Sequence, residues 1–200
     1  METTLQTERT RVRRLPQRAA YDREAVYAIL DAGFLCHVGI VERGQPVVIP
    51  TAYARVGDAI VLHGSSKSRL VEVLSSGAPA CVTVTHTDGF VMARSAFHHS
   101  INYRSVVILG RGEPITGEAE KNAALEAFME HLHPGRWAVV RPPNPQELKA
   151  CGVVRIPITE ASAKVRTGPP LDDAEDMTLD VWAGVVPLTL ERGTPIQDLG

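Results

Sequence analysis

Apolar positions along this chain change their period several times, and each change marks an element. Ala25, Val26, Ile29 and Leu30 recur at helical spacing behind Asp22, a good N-cap, and Gly33 is a natural stop. The spacing predicts a helix over 22–33. Residues 34–41 and 46–54 then read as strands joined by a turn at Arg43-Gly44, with Val47, Ile49, Thr51 and Tyr53 on one face of the second. A Gly57-Asp58 turn leads to an apolar strand at 59–62. Three strands with such short turns imply an antiparallel meander. Leu70, Val73 and Leu74 return to helical spacing, and that helix ends near Gly77.

Residues 79–87 are mostly β-branched and predict a strand. Asp88-Gly89 reads as a turn, 90–96 as a short strand, and 106–115 as a long one. Ala123, Ala124, Phe128 and Leu132 place a third helix over 119–131. Pro134, Pro142, Pro143 and Pro145 make 134–145 a loop. The last clear strand covers 151–159 and extends towards Arg166. After Gly168-Pro169-Pro170 the chain is acidic and irregular, with an apolar run at 181–188. No βαβ alternation occurs, and no GxGxxG follows the first strand. A mainly β fold results, an antiparallel barrel with peripheral helices rather than a doubly wound sheet. Residues 1–20, with Arg9, Arg11, Arg13, Arg14 and Arg18, are expected to form an arm outside the core, either a free tail or an arm laid across a partner subunit. Residues 21–166 form the barrel domain. Residues 167–200 form an extension, either a local loop or a lid at a dimer contact.

Composition narrows the function. The chain has 200 residues, 44% hydrophobic and 22% charged, as in an ordinary globular domain. A net charge of -2 argues against coating nucleic acid, and 5% aromatics argue against base-stacking platforms. No apolar run approaches the roughly 18 residues of a membrane span. No apolar segment follows the N-terminal arginines, so no secretory signal is expected. Cys36, Cys81 and Cys151 lie far apart in apolar surroundings, which suits free thiols in the cytoplasm.

Seven histidines raise the question of metal. His98-His99 are adjacent, and neighbours on a strand face opposite ways. His131 and His133 lack a nearby cysteine or carboxylate pair. Without HExxH or CxxC, no metal site is expected. No Gly-x-Ser-x-Gly elbow supports a hydrolase. Two polar clusters remain. His63, Gly64, Ser65, Lys67, Ser68 and Arg69 join an apolar strand to a helix. This is either a phosphate cradle built from backbone N–H groups and cations or an ordinary serine-capped turn. Asn102, Tyr103, Arg104 and Ser105 precede a buried strand. They are either a solvated strand entrance or a set of groups converging on a heterocycle or phosphate.

The series Val-Ile-Pro-Thr-Ala-Tyr-Ala at 48–54, Leu-His-Gly-Ser-Ser-Lys-Ser-Arg-Leu at 62–70 and Asn-Tyr-Arg-Ser-Val-Val-Ile-Leu-Gly at 102–110 resembles the pyridoxamine 5'-phosphate oxidase-like split-barrel superfamily. Within it, the chain resembles the flavin-nucleotide-binding branch that includes the 5-nitroimidazole-resistance (Nim) reductases. The resemblance covers about 20–166 and implies a six-stranded antiparallel split β-barrel with Greek-key connections, a homodimer, and FMN in clefts at the dimer interface. FAD, deazaflavin and haem are the alternatives. It assigns Ser68 and Arg69 to the flavin phosphate, with Gly64, Ser65 and Lys67 beside them. Pro50, Thr51, Ala52 and Tyr53 match the strand whose backbone lies along the isoalloxazine ring. Asn102 and Tyr103 lead into Arg104 and Ser105, which match the polar pair that reaches the flavin. His63 falls where the Nim reductases have a histidine near flavin and substrate.

Leu70 departs from pyridoxamine phosphate oxidase proper, which has a basic residue there. That enzyme's substrate-phosphate residues and C-terminal Trp/Arg signature have no match either. Vitamin B6 phosphates are therefore not expected as substrates. The implied activity is an FMN-dependent, nitroreductase-like reduction of small molecules. In it His63 is either a proton donor or a hydrogen-bonded strand-end histidine. The competing reading is a flavin-, deazaflavin- or haem-binding module without turnover, with His63, His98 or His99 available as an axial ligand.

Overall fold

The computed structural model describes residues 4–198. The chain divides into two compact units. The first comprises the residues up to 86 together with Ser105–Lys164; the second comprises Thr87–Arg104 and the residues from 165 onward.

The first unit begins with the arm, which does not lie outside the core. Leu5 is only 1% exposed. Its N–H donates to the Tyr21 carbonyl at 3.0 Å, and its own carbonyl accepts from Ala161 N at 3.0 Å. Arg9 grips the Glu160 carboxylate with bonds of 2.7 and 3.1 Å. The two-residue strand β1 (Ala19–Ala20) then pairs antiparallel with Ala163 and Lys164. One apolar side chain in a polar arm anchored it, and arginine composition concealed that.

Helix α1 (Arg23–Asp31) starts as its sequence dictates: the Asp22 carboxylate accepts from Ala25 N at 2.7 Å. Val26, Ile29 and Leu30 are its buried face. Strands β2 (Leu35–Glu42) and β3 (Gln45–Ala52) form a hairpin. Arg43 and Gly44 both take positive φ, 50° and 78°, the twist that suits a two-residue hairpin turn. β4 (Ala54–Val56) and β5 (Ala59–Ser65) follow, then α2 (Arg69–Ser75). β6 (Pro79–Met92) runs on into the second unit, and β7 (Ser100–Arg111) begins in the second unit and returns to the first. β8 (Glu113–Ile115), α3 (Glu118–Leu132), α4 (Pro145–Ala150), β9 (Cys151–Pro157) and β10 (Glu160–Arg166) complete the order.

Two sheets result. One has the order β1-β10-β7-β6-β2-β3, the other β4-β5-β9-β8. Three stretches read as single strands are each cut in two, and the chain changes sheet at each cut. The 46–54 stretch breaks at Tyr53, the 106–115 stretch at Gly112, and the 151–166 stretch at Ile158-Thr159. Gly112 is required at its corner, because a Cβ there would overlap the Leu74 carbonyl. The 134–145 loop ends in the unforeseen helix α4. Asn144 and Glu147 form a reciprocal capping box around Pro145 at the first turn.

In the second unit, Asp88-Gly89 is not a turn. β6 continues through it to Met92 and pairs antiparallel with β11 (Gly184–Pro187). Gly89 serves close approach instead: a Cβ there would lie 2.9 Å from both Val185 Cγ1 and the Val186 carbonyl. The C-terminal segment is pinned by Asp172, whose side chain is 1% exposed. It accepts from Arg94 N at 2.9 Å, Arg94 Nη1 at 3.1 Å and Ser95 N at 3.4 Å. Among the described residues, no helix is long and apolar enough to cross a membrane.

Candidate functional site

The strand β5 carries the first polar cluster further than its apolar run suggested. His63, Gly64 and Ser65 are its last three residues, paired with Val153, Gly152 and Cys151 of β9. The His63 ring is half-buried and meets Phe128 of α3 edge-on, with centroids 4.3 Å apart. Its Nδ1 is buried without a hydrogen-bond partner among the described residues. Burial pushes the His63 pKa down, so the ring is neutral at neutral pH.

Beyond β5 the chain makes a tight loop into α2. Ser68 is the N-cap, its Oγ accepting from Val71 N at 3.4 Å. The backbone cradle read from sequence is largely filled by the chain itself. Ser66 N donates to the Ala150 carbonyl at 2.8 Å and Ser68 N to the Ser65 carbonyl at 2.9 Å. The helix is only seven residues long. Anion recognition here therefore falls to side chains. Ser65, Lys67 and Arg69 are exposed. Lys67 has no side-chain partner among the described residues, and Arg69 makes a long contact of 3.4 Å with Glu42 at the end of β2.

Pro50, Thr51 and Ala52 close β3, and Pro50 faces outward opposite His37. Tyr53 lies just beyond β3 and keeps to the inward side with Val47, Ile49 and Thr51, while Val48 and Pro50 are exposed. The Tyr53 side chain is fully buried, and its hydroxyl donates to the Leu30 carbonyl at 2.6 Å. Only its backbone is left for a ligand.

In the second unit, Asn102 is buried. Its Nδ2 donates to the Gly168 carbonyl at 3.1 Å, and its Oδ1 accepts from Arg166. Arg104 forms a fork onto Asp88 at 3.0 and 2.8 Å, and that hydrogen-bonded pairing raises its pKa. Tyr103 is half-buried. Ser105, which belongs to the first unit, donates to the Lys164 carbonyl at 3.3 Å. The structure thus reveals partners that sequence reading missed: Asp88, taken for a turn residue, and Arg94, Arg166 and Asp172, which had no local motif. His98, Asp173 and Asp176 also come together, with Nε2 and carboxylate oxygens all within 4.8 Å of one another. The cysteines are free, and burial pushes the Cys36 thiol up to about 12.

Cavities of about 400, 430 and 320 Å³ occur in the first unit. None of these three is lined by Pro50–Tyr53 or by the 63–69 cluster.

A family model described as pyridoxamine 5'-phosphate oxidase matches residues 22–165. The chain belongs to the pyridoxamine 5'-phosphate oxidase family. Membership agrees with the mainly β, antiparallel split-barrel architecture expected from the motifs. Among solved structures, this family member is similar to the flavocytochrome Anf3 from Azotobacter vinelandii: 46% identity, TM-score 0.92, covering 96% of this chain and 90% of that one. It is also similar to an FAD- and haem-binding protein from Mycobacterium smegmatis, at 38% identity and TM-score 0.88, covering 91% of this chain and 89% of that one. A 5-nitroimidazole antibiotic resistance protein from Bacteroides thetaiotaomicron shares the fold, at 22% identity and TM-score 0.62, over 74% of this chain and 86% of that one. No curated protein matches the chain at a significant level.

Proposed function

We propose that this protein binds a flavin and a haem and works as a flavocytochrome-type redox protein. The carrying observation is the 46% identity and TM-score of 0.92, over 96% of the chain, to a protein described as a flavocytochrome. The FAD- and haem-binding protein supports the same pair of groups and favours FAD over FMN. When bound, a flavin supplies hydride and single-electron chemistry, and a haem supplies one-electron chemistry.

The donor set fits the phosphate end of a flavin. Ser65 and Ser68 offer hydroxyls, and Lys67 and Arg69 offer charge on an exposed loop. The end of β3, at Pro50–Ala52, is the segment whose backbone would line one side of the flavin ring. Asn102 and Arg104 are already engaged by Gly168, Arg166 and Asp88. In this reading they hold the shape of their unit rather than bind flavin directly. His63 keeps a buried Nδ1 with no hydrogen-bond partner among the described residues, an unmet polar atom at this end of β5.

Homodimer formation belongs to the same proposal. Paired residues of an antiparallel ladder share a face, so Leu35, Val41, Val48 and Pro50 lie on one outward surface of the β2–β3 hairpin, and all are exposed. A second copy laid on that face would cover both the apolar side chains and a flavin along Pro50–Ala52. Free thiols suit a reducing cytoplasm.

The test is the ligand content of the purified protein. Flavin bands together with a Soret band are expected, and chromatography of the released flavin is expected to identify FAD. A colourless protein that takes up neither added flavin nor haemin refutes the proposal. Sedimentation that finds a monomer binding flavin tightly refutes the dimeric cleft.

A further inference from the structure

We propose that His98, Asp173 and Asp176 bind a divalent transition-metal ion of the zinc class. The proposal goes beyond the flavin and haem reading and does not rest on it.

The three side chains belong to the second unit and come from two segments far apart in sequence. His98 Nε2 lies 3.1 Å from Asp173 Oδ2, across 75 residues of chain. With one carboxylate oxygen of Asp176, these atoms all lie within 4.8 Å of one another. An ion with bonds of about 2.0–2.2 Å to imidazole nitrogen and carboxylate oxygen sets its ligand atoms about 3–4 Å apart. Small side-chain rotations close such a trio on an ion. The 75-residue separation also explains why the absence of HExxH and CxxC said nothing about this site.

Charge points to a cation. Asp172 takes the Arg94 guanidinium at 3.1 Å, and those two charges cancel. Asp173 and Asp176 remain as two carboxylates at close quarters. Among the described residues, no Lys or Arg forms an ion pair with either, and Asp176 has no side-chain partner beyond this cluster. A bond from His98 to Asp173 leaves Asp176 unmatched, whereas a dication offsets both carboxylates at once.

Ligand chemistry selects the ion. Imidazole nitrogen together with carboxylate oxygen suits zinc and its first-row neighbours, while magnesium and calcium take oxygen ligands. Three protein ligands leave room for water in the coordination sphere, and Asp173 is exposed to solvent.

The two segments are held together independently of any ion. The Asp172 side chain is 1% exposed and accepts from Arg94 N at 2.9 Å and Ser95 N at 3.4 Å. Ser95 caps the 3-10 turn Ala96–His98, its Oγ accepting from Phe97 N at 3.2 Å. Its carbonyl accepts from His98 N at 3.2 Å and from His99 Nδ1 at 3.0 Å. On the other segment, Asp176 N donates to the Asp173 carbonyl at 3.0 Å, so both carboxylates project from one turn. A buried carboxylate therefore ties the turn that carries His98 to the turn that carries the two aspartates. Ligands held in place in this way lose little freedom when an ion binds. The ion would staple the 96–98 turn to the segment between β10 and β11.

The test titrates the purified full-length protein, with the flavin or haem it carries and after EDTA treatment, with Zn2+, Co2+ and Mg2+. Calorimetry is expected to show one Zn2+ per chain and no Mg2+ uptake. Co2+ is expected to give visible bands that Zn2+ abolishes. His98→Gln and Asp176→Asn should each weaken Zn2+ binding by about 100-fold or more, since disturbing even the outer shell of a metal site costs about 10–100-fold. Asp176→Asn is the cleaner variant, because that side chain has no other partner for the fold to lose, and circular dichroism checks both. Asp180→Asn, a nearby acidic residue outside the trio, should bind Zn2+ as the wild type does. Zn2+ should also slow proteolysis of the C-terminal segment in the wild type but not in Asp176→Asn. Equal Zn2+ affinity in the wild type and Asp176→Asn would overturn the assignment. So would Mg2+ uptake matching that of Zn2+, the mark of a merely acidic surface. Thiolate-to-cobalt charge-transfer bands would place the ion on a cysteine instead, and a wild type that takes up no Zn2+ would leave His98 as a simple partner of Asp173.

Discussion

The Tyr53 hydroxyl donates to the Leu30 carbonyl across 2.6 Å, at the residue where the chain leaves one sheet for the other. Leu30 is in the last turn of α1, and its carbonyl also accepts from Gly33 N at 3.2 Å. The phenol adds a second donor to that helix end and locks a strand corner. Burial pushes its pKa well above the ordinary tyrosine value. Tyr53→Phe removes the donor and keeps the ring. It should cost about 0.5–1.5 kcal/mol, the net worth of one hydrogen bond, read as a lower urea midpoint. An unchanged midpoint would mean that water replaces the hydroxyl.

Arg69 is the test of the phosphate cluster. Arg69→Ala should weaken flavin binding by about 1.5–3 kcal/mol, the range for bonds to charged groups. Glu42→Gln removes the weak surface competitor of Arg69 and should tighten binding, by less than about 1 kcal/mol. Fluorescence titration measures both. Flavin affinity untouched by Arg69→Ala would remove that residue from the site.

The pH dependence of stability should carry the mark of His63. Its folded pKa lies below the unfolded value, so the unfolded chain binds the proton more readily. The stability tied to the neutral ring is complete above about pH 6.5, declines as pH falls below that, and stops declining below the folded pKa. His63→Leu should flatten this part of the profile. Urea midpoints between about pH 7.5 and pH 5 test it, and an equal slope in both proteins would assign the effect to another group.

Gly89 tests the β6–β11 contact. Gly89→Ala sets a methyl group against Val185 and the Val186 carbonyl, and overpacking of this kind costs about 1–3 kcal/mol. The strand at Gly184–Pro187 should loosen, which limited proteolysis would show as faster cleavage of the C-terminal segment. A cleavage rate equal to wild type would mean that the backbone relaxes around the methyl.

Local signals carried much of this fold. Asp22 and the Arg43-Gly44 turn each act through their own residue chemistry, and each lies where the pattern put it. Gly33 follows the helix end as expected, but it serves the close approach of the Tyr53 hydroxyl and the His86 ring rather than a left-handed turn. Asn144, Pro145 and Glu147 held an equally local signal for α4, which the neighbouring prolines obscured. Gly89 and Gly112 were not legible in kind. A glycine that turns the chain and one that lets another segment pass look alike until that segment, Val185 or Leu74, is known. The site divides in the same way. Ser68 as a cap was readable from the switch in period, and the family motifs pointed to the loop around it. The occupation of Arg104 by Asp88 was not readable, nor was the seat of His99 on Ser95, because both depend on bonds that no spacing rule encodes.

The second sheet also constrains synthesis. β5 pairs with β9 from Ala59↔Pro157 to Ser65↔Cys151, and among the described residues β8 pairs only with β9. A ribosome that has released the chain through β8 has therefore delivered strands with an open edge and a row of unmet backbone groups. The sheet completes only when residues 151–157 emerge. Until then the nascent chain carries an unpaired edge, the kind of surface through which partly made chains aggregate.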